Sequence, residues 1–441
     1  MRFNEKKFFE LALANKFEAA DVSFSHSKST SCSIFHREVD SLTVSDSYSL
    51  TARGIYNGKF GTVAVSKIDK DTPQFLVDSI IRSASLVETN NPSIIYKGSE
   101  KYHKKNVFNK EVISSDINEK IELLKKIEDK IRAYDKRISE VATVGYDESF
   151  DESSLSNSYG LKLKSKMASY AFYAEVAAKE GDEVKTGFKV FVSLDPKEFD
   201  MDKFAEEVAK DAINKLGGTQ CKSKKYPTVL KPNCVSALLR AYLSNLDAEE
   251  VQKQSSLFIG KLHQPVASKK LTVIENNLEK NVFYSYYDDE GVAMNKKFLI
   301  KKGNLETYIY TLETAAKDGV EPTGNGVVGA KVKAGLGCIY VKPGKKSFNE
   351  MISLIKEGVY ITELEGLHAG MNAKSGNFSL QAQGFMIRDG KLAEPLSLIT
   401  VAGNLVEVFN SIKEIANDVS LEMSQTSSPS ILIKKLAISG K

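Results

Sequence analysis

Cysteine is scarce in this 441-residue chain. Only Cys32, Cys221, Cys234 and Cys338 occur, and no two stand at CxxC spacing. A zinc knuckle and a dithiol redox motif are thereby excluded, and scattered free thiols suit a reducing compartment. Histidine is nearly as rare. His26, His36, His103, His263 and His368 never fall three to five residues apart, so no helix carries the paired ligands of a zinc site. There is no apolar run of the roughly 18 residues that a membrane span needs. The opening MRFNEKKFFE has no apolar signal core, so no membrane and no secretory route are expected, and the expected location is the cytoplasm. Neither GxxxxGK[ST] nor GxSxG is present, which leaves a P-loop and an α/β-hydrolase without local support. An excess of charge is missing too. Sixty-one basic residues face 57 acidic ones, a net charge of +4, too balanced to argue for nucleic acid or an anionic membrane as partner.

What is present is ordinary globular material, 42% hydrophobic and 27% charged. The length exceeds one core and predicts two or three domains. Over 1–95 the pattern runs helix, strands, helix. EKKFFELALANK has an amphipathic period, DVSFSHSKSTSCSIFHREVDSLTVS alternates like a strand, and Asn57-Gly58 sits between two alternating runs as a hairpin turn does. Over 96–220, Asp116 and Glu119 have capping-box spacing. Ile117, Ile121, Leu124, Ile127 and Ile131 then form one stripe of a long helix. Strands follow, and a helix marked by Phe204, Val208, Ala212 and Leu216 closes the segment at Gly217-Gly218. Over 225–441 a helix near 233–245 opens a region of short strands and glycine turns, with a late helix at about 404–416. Segregated helices and strands predict an α+β, multidomain protein, with an N-terminal α/β sandwich-like part and a large C-terminal β-rich domain.

The candidate motifs divide on their context. GNGVVG, 324–329, matches a dinucleotide fingerprint, but an alternating segment follows where a helix is required, so a turn is expected. Tyr286 to Gly291, YYDDEG, places three acids in a row. Acid–base work or a hard cation is conceivable chemistry for them, and a hairpin turn between two strands is the expectation. His36 is expected to form a solvated pair with Glu38. His368 stands among glycines, either lining a cleft or merely in a loop. In LHAGMNAKSGNFSLQAQGFMIRDGKLAEPL, 367–396, Phe378, Leu380 and Ala382 alternate with Ser379, Gln381 and Gln383. One strand face is thus apolar and the other hydrogen-bonding, with Arg388-Asp389-Gly390 as the turn into a second strand.

In their order, ARGIYNGKFGTVAVS, SNSYGLKL, AEVAAKEGDEVKTG, YYDDEGVAMNKKFLIKKGNLETYIYTLETA, EPTGNG and GVYITELEGLHAGMNAKSGNFSLQAQGFMIRDGKLAEPLSLITVAGNL resemble the TldD/PmbA family over nearly the whole chain. The resemblance implies a two-subunit cytoplasmic peptidase acting on unstructured peptides, including the maturation of peptide precursors. One subunit type carries zinc on an H-E-x-x-x-H helix with a later cysteine, and the other, PmbA- or TldE-like, does not. Aligned on Ser256-Leu257-Phe258-Ile259-Gly260, Leu239 and Ser244 stand at the histidine positions and Arg240 at the glutamate, and no cysteine follows IANDVSLE. Leucine has no lone pair, serine is a poor ligand, and arginine repels a cation and cannot act as base. The expectation is therefore a PmbA-like subunit without catalytic residues or a cofactor of its own, with zinc only in a TldD-like partner. That partner, or a second copy of this chain, would complete a dimer. The β-rich strands would wall a cavity between subunits, with Asn325, His368, Asn372, Ser379 and Gln381 as candidate substrate contacts. The other readings are a homodimeric, non-catalytic peptide-binding protein, and a peptidase with an unrelated site. The family label of DNA gyrase modulator finds no support in the charge balance.

Overall fold

The computed structural model describes residues 3–88, 91–114, 116–329 and 331–441. Strands β1 (Ala19–Phe35), β2 (Glu38–Tyr56), β3 (Lys59–Val65), β4 (Ile138–Asn157), β5 (Lys162–Glu180) and β6 (Glu183–Ser193) form one antiparallel sheet in the order β3-β2-β1-β4-β5-β6. The first two sequence segments thus share a single sheet, joined where β1 pairs with β4. Asn57 and Gly58 have φ of 50° and 73°, the left-handed values that a two-residue hairpin needs to match strand twist. His36 and Arg37, at 49° and 63°, make the same kind of turn. The alternating stretch read as strand is therefore a hairpin folded at His36. This corrects the expected partner of that histidine: its Nε2 lies 3.2 Å from Glu140, not beside Glu38.

Helices cover one face of this sheet in two groups. Helices α1 (Glu5–Ala14) and α2 (Thr72–Ser85) bury Phe8, Leu76, Val77 and Ile80 against Val22, Leu50 and Ala52. Helices α3 (Ile117–Tyr134) and α4 (Met201–Ile213) bury Leu124, Ile127, Ile131 and Val208 against Val144, Phe172 and Ala174. The predicted stripe of α3 is the face that packs, and Asp116 caps the helix by accepting the Asn118 N–H at 2.8 Å. Gly217, at φ 71°, turns the chain away after α4.

Among the described residues the remainder holds two six-stranded sheets and one two-stranded sheet. Strands β7 (Lys224–Leu230), β8 (Glu357–Glu365), β9 (Asn377–Arg388), β10 (Lys391–Asn404) and β11 (Ile431–Ser439) close into a barrel, because β10 pairs with both β9 and β11 and β11 returns to β7. Closure removes open edges. Helix α5 (Pro232–Leu243) packs between β8 and the short strands Ser420–Glu422 and Thr426–Ser428 of the second sheet. Its buried Val235, Leu238, Leu239 and Tyr242 join the barrel's interior residues in the largest apolar core. The late helix is shorter than the periodicity suggests. It spans Leu405–Asn410, and Ile412–Ile415 is a strand on β11, where Ile412 and Ile415 bury themselves opposite Ile433 and Ile431. No helix among the described residues is long and apolar enough to cross a membrane.

Candidate functional site

Helix α5 starts at Pro232, whose fixed φ and missing N–H suit a first helical turn. Leu239 is wholly buried in the main core. Arg240 extends the other way and donates from Nη2 to the Leu336 carbonyl at 3.0 Å and from Nη1 to the Gly337 carbonyl at 3.2 Å. Burial lowers its pKa, and Glu275 nearby opposes the shift. Ser244 lies beyond the helix, exposed, and gives its hydroxyl to the Ala241 carbonyl at 2.8 Å. One position is apolar core, one is a cation fixed to carbonyl dipoles, and one faces solvent. These side chains do not fit a zinc ion, since they offer it neither converging lone pairs nor a base. Among the described residues no group of three or more His, Cys, Asp or Glu is arranged to hold a metal.

The other candidates fall into two places. Ser379 and Gln381 project from the exposed face of β9, while Phe378, Leu380 and Ala382 are buried, as the alternation predicts. Glu365 and Thr400 flank Gln381 in register on β8 and β10, and Gln383 donates to Glu365 at 3.1 Å. A polar wall results. The Asp389-Gly390 turn, φ 46° and 77°, links β9 to β10. His368 is exposed on the short helix Leu367–Gly370 after β8, and that helix lies over the start of β9, where Gly370 abuts the Ser379 carbonyl too closely to carry a side chain. Asn372 accepts from the Lys374 and Ser375 N–H groups, both at 3.0 Å, and so shapes the loop beside the wall. Asn325 does not belong to this group. It is 3% exposed and donates to Glu275 at 2.9 Å and to the Gly335 carbonyl at 2.9 Å. The glycine-rich context marked it as a loop residue, but Glu275, paired with Lys297 at 2.5 Å, draws it inside.

The acidic run is a turn, as expected, yet not a solvated one. Gly291 donates back to the Asp288 carbonyl at 2.9 Å and takes φ 88°. Asp288 and Glu290 are 3% and 5% exposed, and Asp289 alone faces out. The Asp288 carboxylate accepts the N–H groups of Glu290, Val292 and Gly326 at 3.0, 2.9 and 2.7 Å. Burial, with Glu290 close by, still pushes its pKa up to about 7, and burial raises Glu290 as well. The turn docks onto the first sheet. Tyr102 donates to the Gly291 carbonyl at 2.7 Å and Tyr286 to the Lys164 carbonyl at 2.8 Å. Arg53, which no sequence motif marks, lies near this turn. The only signal available was an arginine among apolar residues on a strand that later proves buried.

The chain is a multidomain α+β protein with an N-terminal helix-backed sheet and a C-terminal barrel. Three models of the PmbA/TldA metallopeptidase match it in order: domain 1 over 20–84, the central domain over 110–216 and the C-terminal domain over 223–440. The chain belongs to the PmbA/TldD metallopeptidase family. It is 22% identical to the metalloprotease PmbA of Escherichia coli O157:H7, across 98% of this chain and 94% of the relative, and 24% identical to a metalloprotease of Methanocaldococcus jannaschii, across 92% and 91%. With a PmbA homologue of Buchnera aphidicola it shares 28% identity over 64% of its own length and 62% of that protein's. Among solved structures, a Thermotoga maritima protein named as a candidate modulator of a DNA gyrase superposes with a TM-score of 0.91 at 27% identity, each chain covered to 99%. TldE from Thermococcus kodakarensis superposes at 0.87, with 22% identity and 99% coverage of both, which speaks for the fold.

Proposed function

We propose that this chain is a PmbA/TldE-like subunit of a TldD/TldE-type system that cleaves unstructured peptides, and that it holds substrate rather than cutting it. One observation supports the reading: Leu239, Arg240 and Ser244, which the family resemblance sets at the metallopeptidase positions, have side chains that pack, bind carbonyls and face solvent. The polar wall of Ser379, Gln381 and Gln383 supplies hydrogen-bonding groups that an extended peptide backbone can meet. The zinc belongs to a TldD-like partner, and the pair works in the cytoplasm on proteolysis and peptide maturation. Dimerisation falls mainly to the third segment. The test is a pull-down of the tagged chain from its own cell extract, with elemental analysis of the dialysed protein. A TldD-like peptidase should be recovered, with chelator-sensitive cleavage only in its presence. About one zinc per isolated chain, or chelator-insensitive cleavage by the chain alone, would overturn the reading. Recovery of the chain solely as its own dimer, binding peptides without hydrolysis, would favour a homodimeric peptide-binding protein. Light scattering that shows a monomer at micromolar concentration, with and without the partner, would remove the dimer.

A further inference from the structure

The outer half of β2 is an open sheet edge. β3 pairs only with Leu50 to Tyr56, and among the described residues no strand takes its place beside 38–49, every residue of which is exposed. Val44 reaches 74% exposure, so nothing covers this edge. The Ile55 carbonyl accepts the Glu18 N–H at 3.0 Å, so Ile55 points its backbone groups at β1. That direction alternates along a strand, and the β1–β2 register runs unbroken from Ser41 to Ile55. Leu42, Val44, Asp46 and Tyr48 therefore turn their N–H and C=O groups away from β1, into a slot that continues the line of β3. None of these groups has a backbone partner among the described residues. Over 41–49 the slot is roughly 30 Å long, at about 3.3 Å per residue. Open edges recruit strands, and proteins usually blunt them with lysine, proline or a bulge. The opposite edge of this sheet, β6, carries Lys185 and Lys189. The 38–49 stretch has no Lys, Arg or Pro, and its bulge lies at the hairpin end, at Asp40.

Side chains define the partner. Leu42, Val44 and Tyr48 lie on one face of the edge, and positions 41, 43, 45, 47 and 49 on the other hold only serine and threonine. Directly paired residues share a face, so the matching strand is apolar at alternate positions and small and polar between them. Its charge is set at the hairpin end. Glu38 and Asp40 form no ion pair among the described residues, whereas Asp46 is already held by His26 at 2.7 Å and Lys28 at 3.4 Å. A second copy of β2 fits badly. It brings no cation over 38–49. The longest antiparallel self-pairing that keeps its hairpin clear of β3 centres on Thr43 and brings Asp40 to Asp46 at both ends. Like charges so opposed are destabilising. We propose that the open edge of β2 takes up an extended peptide as an added strand, one with alternate apolar residues and a Lys or Arg beside Glu38 and Asp40. This edge belongs to the N-terminal sheet, not to the barrel wall, and the proposal does not depend on the subunit assignment.

Fluorescence anisotropy on the full chain tests it with three labelled synthetic peptides that alternate valine with threonine. One ends in lysines and one in glutamates. The third is the lysine peptide with N-methyl amides throughout, which removes its backbone donors. The lysine peptide should bind, and the other two should bind at least about tenfold more weakly. Hydrogen exchange over 42–48 should slow as it binds. Val44→Pro removes an outward N–H and keeps the β1 ladder, a change that edge strands tolerate. It should weaken binding by about tenfold or more. Glu38→Lys combined with Asp40→Lys alters only exposed side chains and should shift the preference to the glutamate peptide, which tests the proposal even if the proline variant does not fold. No binding of the lysine peptide, equal binding of either control, or unchanged exchange over 42–48 ends the proposal. So does unaltered binding in both variants. Protection of 42–48 that grows with protein concentration in the absence of peptide makes a second copy the occupant and overturns it too.

Discussion

Writing H-E-x-x-x-H back into α5, through Leu239→His, Arg240→Glu and Ser244→His, should yield a less stable and inactive protein. At Leu239, wholly buried, an imidazole whose nitrogens find no partner costs about 1–3 kcal/mol, and the changed shape about as much again. Arg240→Glu strips the Leu336 and Gly337 carbonyls of their donor, at about 1–3 kcal/mol, and sets a carboxylate near Glu275. Ser244 is exposed and changes little. The total, roughly 3–9 kcal/mol, is a large part of an ordinary domain's 5–15 kcal/mol or so. Melting followed by circular dichroism should drop by about 10–25 °C. Nor do the new imidazoles converge. The structure sets position 239 in the core and position 244 in solvent, past the end of α5. Zinc titration and an unstructured fluorogenic peptide complete the assay. Unchanged melting with zinc-dependent, chelator-reversible turnover would refute the reasoning and make the scaffold a dormant peptidase.

Three further outcomes are expected. Asp288 keeps its proton in the fold up to about pH 7, whereas the unfolded carboxyl loses it near the ordinary value of 3.8. The folded state therefore binds more protons across that window, so this group's stabilisation is full below it and lost as pH rises through it. Denaturant titrations should show that slope shallower in Asp288→Asn, and parallel curves would refute the assignment. Asp21→Asn leaves the buried Arg53 charge uncompensated and should cost about 3–5 kcal/mol in urea unfolding; a loss below about 1 kcal/mol would mean that the pair is well hydrated. Gly384→Ala drives a Cβ onto the Tyr360 carbonyl between β8 and β9, so the variant should be recovered largely insoluble or melt well below the parent. A soluble variant with unchanged melting would show that the barrel can shift there.

Much of this was legible locally. Asn57-Gly58, Asp389-Gly390, the stripe on α3 and the alternation of Phe378 to Gln383 follow from turn chemistry and side-chain period, which act between near neighbours. The residue types at 239, 240 and 244 were legible too, while their standing at the positions of a zinc helix is what the family resemblance implies. The tertiary structure alone decided the rest. It joined β1 to β4 across more than a hundred residues, closed the barrel through β10 and β11, and cut the late helix short so that Ile412 and Ile415 could lie on β11. It also drew Asn325 inside to Glu275 and set Glu290 over Arg53. These are burial decisions between distant segments. A residue's type does not say which distant face will cover it, and that covering is what turns an acidic turn and a strand arginine into the walls of one cavity.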